Sequence, residues 1–315
     1  MKRRDFLVGS AGTMLFTNIW STFATQKNEK YEIPRRKYKD DVVLSVIGFG
    51  GMVVVGMEQS QANRMVEISI KDAGINYFDV APTYGDREAE IKLGKALKFS
   101  RKEIFLACKT MNRSAKMAET ELHDSLKRLH TDYFDLYQLH AVTSLEDVEK
   151  IFAPSGALKT FIKAREQGVI RYIGFSAHSE EAALALLEKF QFDSILFPIN
   201  FVCFAQGNFG PEVIRKAKEK NAAILALKMF AYSPWPEGVE KNYPKCWYQP
   251  VDDRHLARTA LRFTLSEDIT ASIPPGDEKL FTMALELASD FNPLSGKERI
   301  ELLDSTKNVT PLFSS

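Results

Sequence analysis

Asn76-Tyr77-Phe78-Asp79, Ile104-Phe105-Leu106-Ala107-Cys108-Lys109 and Tyr133-Phe134-Asp135-Leu136-Tyr137-Gln138-Leu139-His140 are three short apolar runs, each closed by a polar side chain. Segments with helical spacing separate them, at 88–98 and 115–129. Short apolar runs alternating with amphipathic segments are the signature of parallel strands joined by crossover helices. If these runs are neighbours in one parallel sheet, Asp79, Lys109 and His140 emerge at the same rim. Tyr84, five residues after Asp79 in Val80-Ala81-Pro82-Thr83-Tyr84-Gly85, joins them there.

The alternation continues outward in both directions. Upstream, 43–47 leads into Gly48-Phe49-Gly50-Gly51, and a helical pattern follows over 61–73. Downstream come a helix near 156–167, then strand and helix pairs at 172–176 and 180–190, 194–199 and 211–221, 223–228 and 257–266, and 269–273 and 280–288. Eight strand–helix units predict a (β/α)8 TIM barrel, a single α/β domain over 42–315, with an extra C-terminal helix near 296–306 packed outside. A doubly wound sheet would carry Gly-x-Gly-x-x-Gly after its first strand. Gly48, Gly50 and Gly51 lack that spacing, so the barrel is the better reading.

At 315 residues and 45% hydrophobic content, the chain can bury a large core. Its net charge of +1, without a long basic block, gives no reason to expect nucleic acid as a partner. Cys108, Cys203 and Cys246 have neither metal-ligand nor disulfide spacing, so they read as core or pocket-wall residues and no metal is expected. Met1-Lys2-Arg3-Arg4-Asp5-Phe6-Leu7, an apolar stretch to Trp20 and Ser21-Thr22-Phe23-Ala24 read as an export signal over 1–24. The arginine pair resembles a twin-arginine signal, which implies the twin-arginine export machinery as a partner and a periplasmic location. The apolar stretch is too short for a stable membrane anchor. Residues 25–41 read as a polar linker.

Two connections are long, 141–156 and 230–253. The second carries Phe230, Tyr232, Trp235, Tyr243, Trp247 and Tyr248 among four prolines. So many rings are costly to leave in water, so this loop reads as a wall over the active face.

A carboxylate, a phenol, an ammonium and an imidazole at one rim can move a proton. A phenol titrates near 10, and a neighbouring Lys109 ammonium is expected to lower that value and tune Tyr84 as an acid. Asp79 supplies the counter-charge that a buried lysine needs. His140 can hydrogen-bond and orient a substrate oxygen. Donating a proton to a carbonyl oxygen requires a partner that supplies the electrons, which points to a hydride donor.

With the tetrad Asp79, Tyr84, Lys109 and His140 in order, the chain resembles the aldo-keto reductase family over nearly all of its mature length. Gly48-Phe49-Gly50-Gly51, Gly168-Val169-Ile170-Arg171-Tyr172-Ile173-Gly174-Phe175-Ser176 and Ile273-Pro274-Pro275-Gly276 also look like family motifs. The resemblance implies reduction of an aldehyde or ketone, or the reverse oxidation, with Tyr84 as general acid/base. It implies NADP(H) as cofactor, with NAD(H) the alternative. The implied cofactor residues are Gly50, Gly51, Ser176, Asn200, Lys228, Pro275, Gly276 and Lys279. Several positions depart from the pattern. Ala177 and Leu196 stand where the family places amides, and Leu227-Lys228 where it places a stacking aromatic. Asp277-Glu278-Lys279 stands where NADP-preferring members are basic. His178 is read either as a replacement donor or as a helix-start or surface histidine. Two other readings stay open: a periplasmic ligand-binding or sensing barrel without turnover, and non-redox acid/base chemistry.

Overall fold

Eight parallel strands wind into a nearly closed barrel in a computed structural model that describes residues 31–315. The chain first forms an antiparallel hairpin, β1 (Arg35–Lys39) and β2 (Val42–Ser45). Then follow β3 (Phe49–Gly50), β4 (Tyr77–Asp79), β5 (Phe105–Thr110), β6 (Phe134–Val142), β7 (Ile170–Ala177), β8 (Ser194–Pro198) and β9 (Ala223–Leu227). A second hairpin, β10 (Ala231–Pro234) and β11 (Tyr248–Pro250), precedes β12 (Ala271–Ile273). The barrel order is β3-β4-β5-β6-β7-β8-β9-β12, and a bridge between Ile47 and Ser272 links its two ends.

The helices are α1 (Gln59–Lys71), α2 (Glu88–Ala96), α3 (Ala115–Arg128), α4 (Leu145–Phe152), α5 (Ala157–Glu166), α6 (Glu180–Lys189), α7 (Phe201–Gly207), α8 (Pro211–Glu219), α9 (Arg254–Ser266), α10 (Glu278–Ser289) and α11 (Gly296–Asp304). Several start at a polar cap that satisfies otherwise orphaned backbone donors: Ser114 for α3, Ser179 for α6, Asp253 for α9 and Ser295 for α11. Helix α11 is the expected extra C-terminal helix.

Strand alternation divides the core in two. Phe78, Leu106, Cys108, Tyr137 and Leu139 face the helices, while Tyr77, Phe105, Ala107, Leu136, Tyr172, Leu196 and Leu225 fill the barrel. The first hairpin plugs the barrel's N-terminal end. Tyr38 packs there on Phe105 and Tyr172, with ring centroids 5.0 and 5.2 Å apart, and its hydroxyl donates to Ser194 Oγ at 3.0 Å.

That plug corrects two expectations. The described end of the 25–41 linker is no linker. Arg36 donates to the Leu265 and Ile269 carbonyls at 2.6 and 2.8 Å, contacts more than two hundred residues away in sequence that local composition cannot reveal. The run 43–47 largely belongs to the hairpin, and the first barrel strand lies just after it at Phe49–Gly50. Helices α4 and α7 and the second hairpin occupy stretches read as loop. The export signal at 1–24 and the linker's start at 25–30 lie outside the described residues.

Candidate active site

Period-two alternation aims four side chains into the barrel at its C-terminal rim. Asp79 stands two residues after Tyr77 on β4, Lys109 two after Ala107 on β5, and Gln138 and His140 follow Leu136 on β6. The register pairs Asp79 with Ala107 and Lys109 with Gln138, so the ends of three adjacent strands converge. TIM-barrel enzymes build their sites at this face. Tyr84 arrives from the loop after β4, where its N–H donates to Ala81 O at 3.0 Å and the chain turns through positive φ at Gly85, Asp86 and Arg87.

Lys109 Nζ is fully buried and pairs with Asp79 Oδ1. It also lies 3.2 Å from Tyr84 Oη and 3.5 Å from Val80 O. Asp79 is held in turn by Gln138 Nε2 at 3.0 Å and by the Tyr77 hydroxyl at 3.3 Å. His140 packs edge-on to Tyr84 with centroids 5.9 Å apart, and its Nδ1 is buried without a partner. Arg113 anchors the backbone beside it, donating to His140 O at 2.8 Å and pairing with Asp147.

These surroundings set the protonation states. Burial alone lowers the Lys109 pKa, but Asp79 and Tyr84 outweigh it and the net shift is upward, so the ammonium persists. Burial pushes the Tyr84 phenol up, and the opposing pull of Lys109 does not cancel it. This corrects the expected net lowering. The ammonium acts in the anticipated direction, but desolvation of the phenolate is the larger effect. Tyr84 therefore holds its proton at neutral pH. Burial, with Lys109, His178 and Arg113 nearby, takes His140 well below its usual value, so the imidazole is neutral.

Tyr77 and Gln138 were missed in the sequence. Each stands two residues before a recognised site residue on the same strand, so the alternation that placed Asp79 and His140 marks them as well.

The residues read as cofactor contacts gather at the same rim with less uniform meaning. Ser176 Oγ accepts from Ala141 N at 2.8 Å. Asn200 caps α7 through Oδ1, and its Nδ2, buried beside the Cys203 thiol, meets no oxygen acceptor. The glycines owe their identity to packing. A Cβ on Gly50 would meet Ile273 Cγ2 at 2.8 Å, one on Gly51 would meet Val80 Cγ2 at 2.9 Å, and one on Gly276 would overlap Met52. Pro275 is buried and Lys279 exposed. The N-terminus of α10, which begins beside the implied cofactor residue Lys279, is capped by its own Asp277. The Asp277 carboxylate accepts from Lys279 N at 2.9 Å and Leu280 N at 3.4 Å. Lys228 follows β9 with its ammonium over the rings of Trp247 and Tyr248.

The aromatic loop is tied down at two points, although its Trp247 is 55% exposed. Lys245 Nζ ties it to Val53 O at 2.9 Å, and Trp235 Nε1 closes it internally on Cys246 O at 2.8 Å. Beside it, Phe313 from the C-terminal tail stacks on His178 at 5.5 Å and meets Trp247 at 6.1 Å. The three cysteines are free and buried. Among the described residues no acidic, histidine or cysteine cluster could hold a metal, and no helix is long and apolar enough to cross a membrane.

Residues 46–285 match the model of the Aldo/keto reductase family. The chain belongs to the aldo/keto reductase family. A Schizosaccharomyces pombe protein described as an aldo-keto reductase [NADP(+)] is 30% identical over 303 residues, covering 86% of this chain and 85% of its own length. An uncharacterized oxidoreductase of Bacillus subtilis is 25% identical over 275 residues, covering 78% and 87%. Among solved structures, the holo form of a Bacillus halodurans aldo-keto reductase superposes with a TM-score of 0.69 at 25% identity, over 89% of this chain and 99% of that one. A Klebsiella pneumoniae aldo-keto reductase in complex with NADPH shares the fold, with a TM-score of 0.66 at 18% identity, over 90% and 98%. Membership of this aldo/keto reductase family places the chain among oxidoreductases.

Proposed function

We propose that this aldo/keto reductase reduces an aldehyde or ketone, or runs the reverse oxidation, with Tyr84 as the proton donor. The observation that carries the reading is the buried line Asp79–Lys109–Tyr84 ending beside a neutral His140. Tyr84 retains its proton until negative charge develops on the carbonyl oxygen. Lys109 then stabilises the phenolate that forms, and Asp79 keeps Lys109 in place and charged. His140, neutral and unpartnered at Nδ1, can share that oxygen and orient it. Gln138 and Tyr77 fix Asp79 and take no proton.

A nicotinamide cofactor, when bound, supplies the hydride. The nicotinamide end fits the residues present: Asn200 Nδ2 is a buried donor without an oxygen acceptor, and Ser176 lies on the adjacent strand end. We infer NADP(H), supported by family membership and by the NADPH-bound and NADP(+)-described relatives. The carboxylates of Asp277 and Glu278 favour a free 2′-hydroxyl, so NAD(H) is the competing form. Parallel fluorescence titration with NADPH and NADH separates the two. Carbonyl reduction should be saturable in the wild type and fall by about 10²–10⁴ in Tyr84→Phe, the range for loss of a positioned acid. Equal rates in both proteins would remove Tyr84 from the mechanism.

One observation favours a second reading, ligand binding without turnover. The helix end that would face a phosphate already has its N–H groups occupied by Asp277. Absence of binding by either dinucleotide would support that reading over reduction. For residues 1–24 we infer twin-arginine export to the periplasm. Arg3→Lys with Arg4→Lys should then strand the precursor in the cytoplasm, and unchanged fractionation would refute it.

A further inference from the structure

Lys228 immediately follows β9 with φ +70°, a left-handed conformation uncommon for a residue with a Cβ. Ala231 N donates to its carbonyl at 2.8 Å and holds the turn. The partly buried Nζ lies 5.0 Å from the centre of the Trp247 ring and 4.6 Å from that of Tyr248. Ring faces attract an ammonium but leave its N–H groups without an acceptor. Among the described residues no carboxylate pairs with it, whereas Lys109, Arg101, Arg113 and Arg128 reach Asp79, Asp135, Asp147 and Glu90. Burial without an anion brings Lys228 down to about 8.

The neighbours of Lys228 continue the pattern. His178, from the turn after β7, is held at about 4 by burial and by the Lys228 charge. His178 also contributes to the lowering of His140. His140 on β6, His178 just after β7 and Lys228 just after β9 are thus three basic side chains at C-terminal strand ends, and among the described residues none of them is paired with an acid. A built-in cation whose donors are unused, set against the buried Tyr248 ring and the half-exposed Trp247 ring, matches a planar anion on an apolar body.

We propose that Lys228, with His178 and the rings of Trp247 and Tyr248, seats an acidic group of the substrate, so the preferred substrate is an aromatic aldehyde or ketone bearing a carboxylate. The inference deepens the reductase reading and rests on it for the carbonyl at Tyr84 and His140. The phosphates of a dinucleotide are the other source of anionic oxygen near this strand end, and the test separates the two.

The first arm needs no turnover. Tryptophan fluorescence of the full-length protein is titrated, without cofactor, with benzoate and with its neutral counterpart benzamide. Benzoate should bind about 10- to 100-fold more tightly, the range for a hydrogen bond to a charged group. Lys228→Met should abolish the difference and Lys228→Arg should keep it. The wild-type comparison stands even if the methionine variant does not fold. The second arm compares kcat/KM for 4-carboxybenzaldehyde and 4-methylbenzaldehyde. The wild type should prefer the acid, and Lys228→Met should erase the preference through the KM of the acid. Equal binding of benzoate and benzamide by the wild type overturns the proposal. So does a Lys228→Met protein that loses NADPH binding but keeps the carboxylate preference, which would assign the ammonium to the dinucleotide. If neither aldehyde is reduced while benzoate discrimination is intact, the reductase reading fails and the anion seat stands.

Discussion

Asp79→Asn removes the carboxylate that compensates a fully buried ammonium. Lys109 Nζ would keep only Tyr84 Oη at 3.2 Å and Val80 O at 3.5 Å, both neutral. Gln138 and Tyr77 can still bond the asparagine oxygen, so the packing around it persists and the loss is mainly electrostatic. Breaking a buried pair from one side costs about 3–5 kcal/mol, because the remaining charge is desolvated and uncompensated. In a chain of this size that is a fall of roughly 6–10 °C in Tm. The pH dependence identifies the cause. In the native protein the Lys109 pKa lies above its unfolded value of about 10.4, so its contribution is complete below that value and is lost only as pH rises through the folded pKa. In the variant, burial pulls the ammonium down with Asp79 no longer opposing it. The unfolded chain then binds more protons than the folded one, and stability rises with pH. Thermal melts followed by circular dichroism at pH 7 and pH 9.5 should show the deficit narrowing at the higher pH. Adding Lys109→Met should recover much of the loss. A deficit below about 1 kcal/mol, the ordinary cost of a surface change, or one equal at both pH values, refutes the reasoning.

His140 is neutral at and below its usual titration range, so the pH profile of carbonyl reduction should show no inflection near 6.5 arising from it. An inflection there that His140→Gln removes would contradict this. His140 and His178 both have folded values below the unfolded one, so the unfolded chain gains protons first and stability should fall as pH drops below about 6.5. Denaturant midpoints in the His178→Asn protein should be less acid-sensitive, and identical acid sensitivity would count against it. A Cβ on Gly207 would overlap the Phe313 carbonyl, so Gly207→Ala should lift the tail from His178 and Trp247. An overpacking cost of about 1–3 kcal/mol and a change in tryptophan emission are expected, and an unaltered spectrum with unaltered stability would show that the tail is not held there.

Much of the site was legible because strand periodicity is a local property. Asp79, Lys109 and His140 each close a run whose alternation points one face inward, and Tyr84 follows at a spacing set by one turn. Gln138 and Tyr77 carried the same signal. The glycines near the rim were read as cofactor contacts, but Ile273, Val80 and Met52, far along the chain or across strands, explain them by packing. Asp277 was weighed as a charge facing a ribose, and its cap on α10 is also a short-range contact that sequence spacing permits.

What the sequence by itself determined is the order of strands and helices, and with it the barrel and the polar set at its C-terminal rim. Hydrophobic period and strand ends are written within a few residues of each position. The tertiary structure decided the balance of charges. Whether burial or Lys109 dominates the Tyr84 phenol depends on everything packed around it, and whether Lys228 has an anion depends on a hairpin some twenty residues on and a turn after β7. Desolvation and pairing are sums over spatial neighbours, and those neighbours are assigned only when the barrel closes.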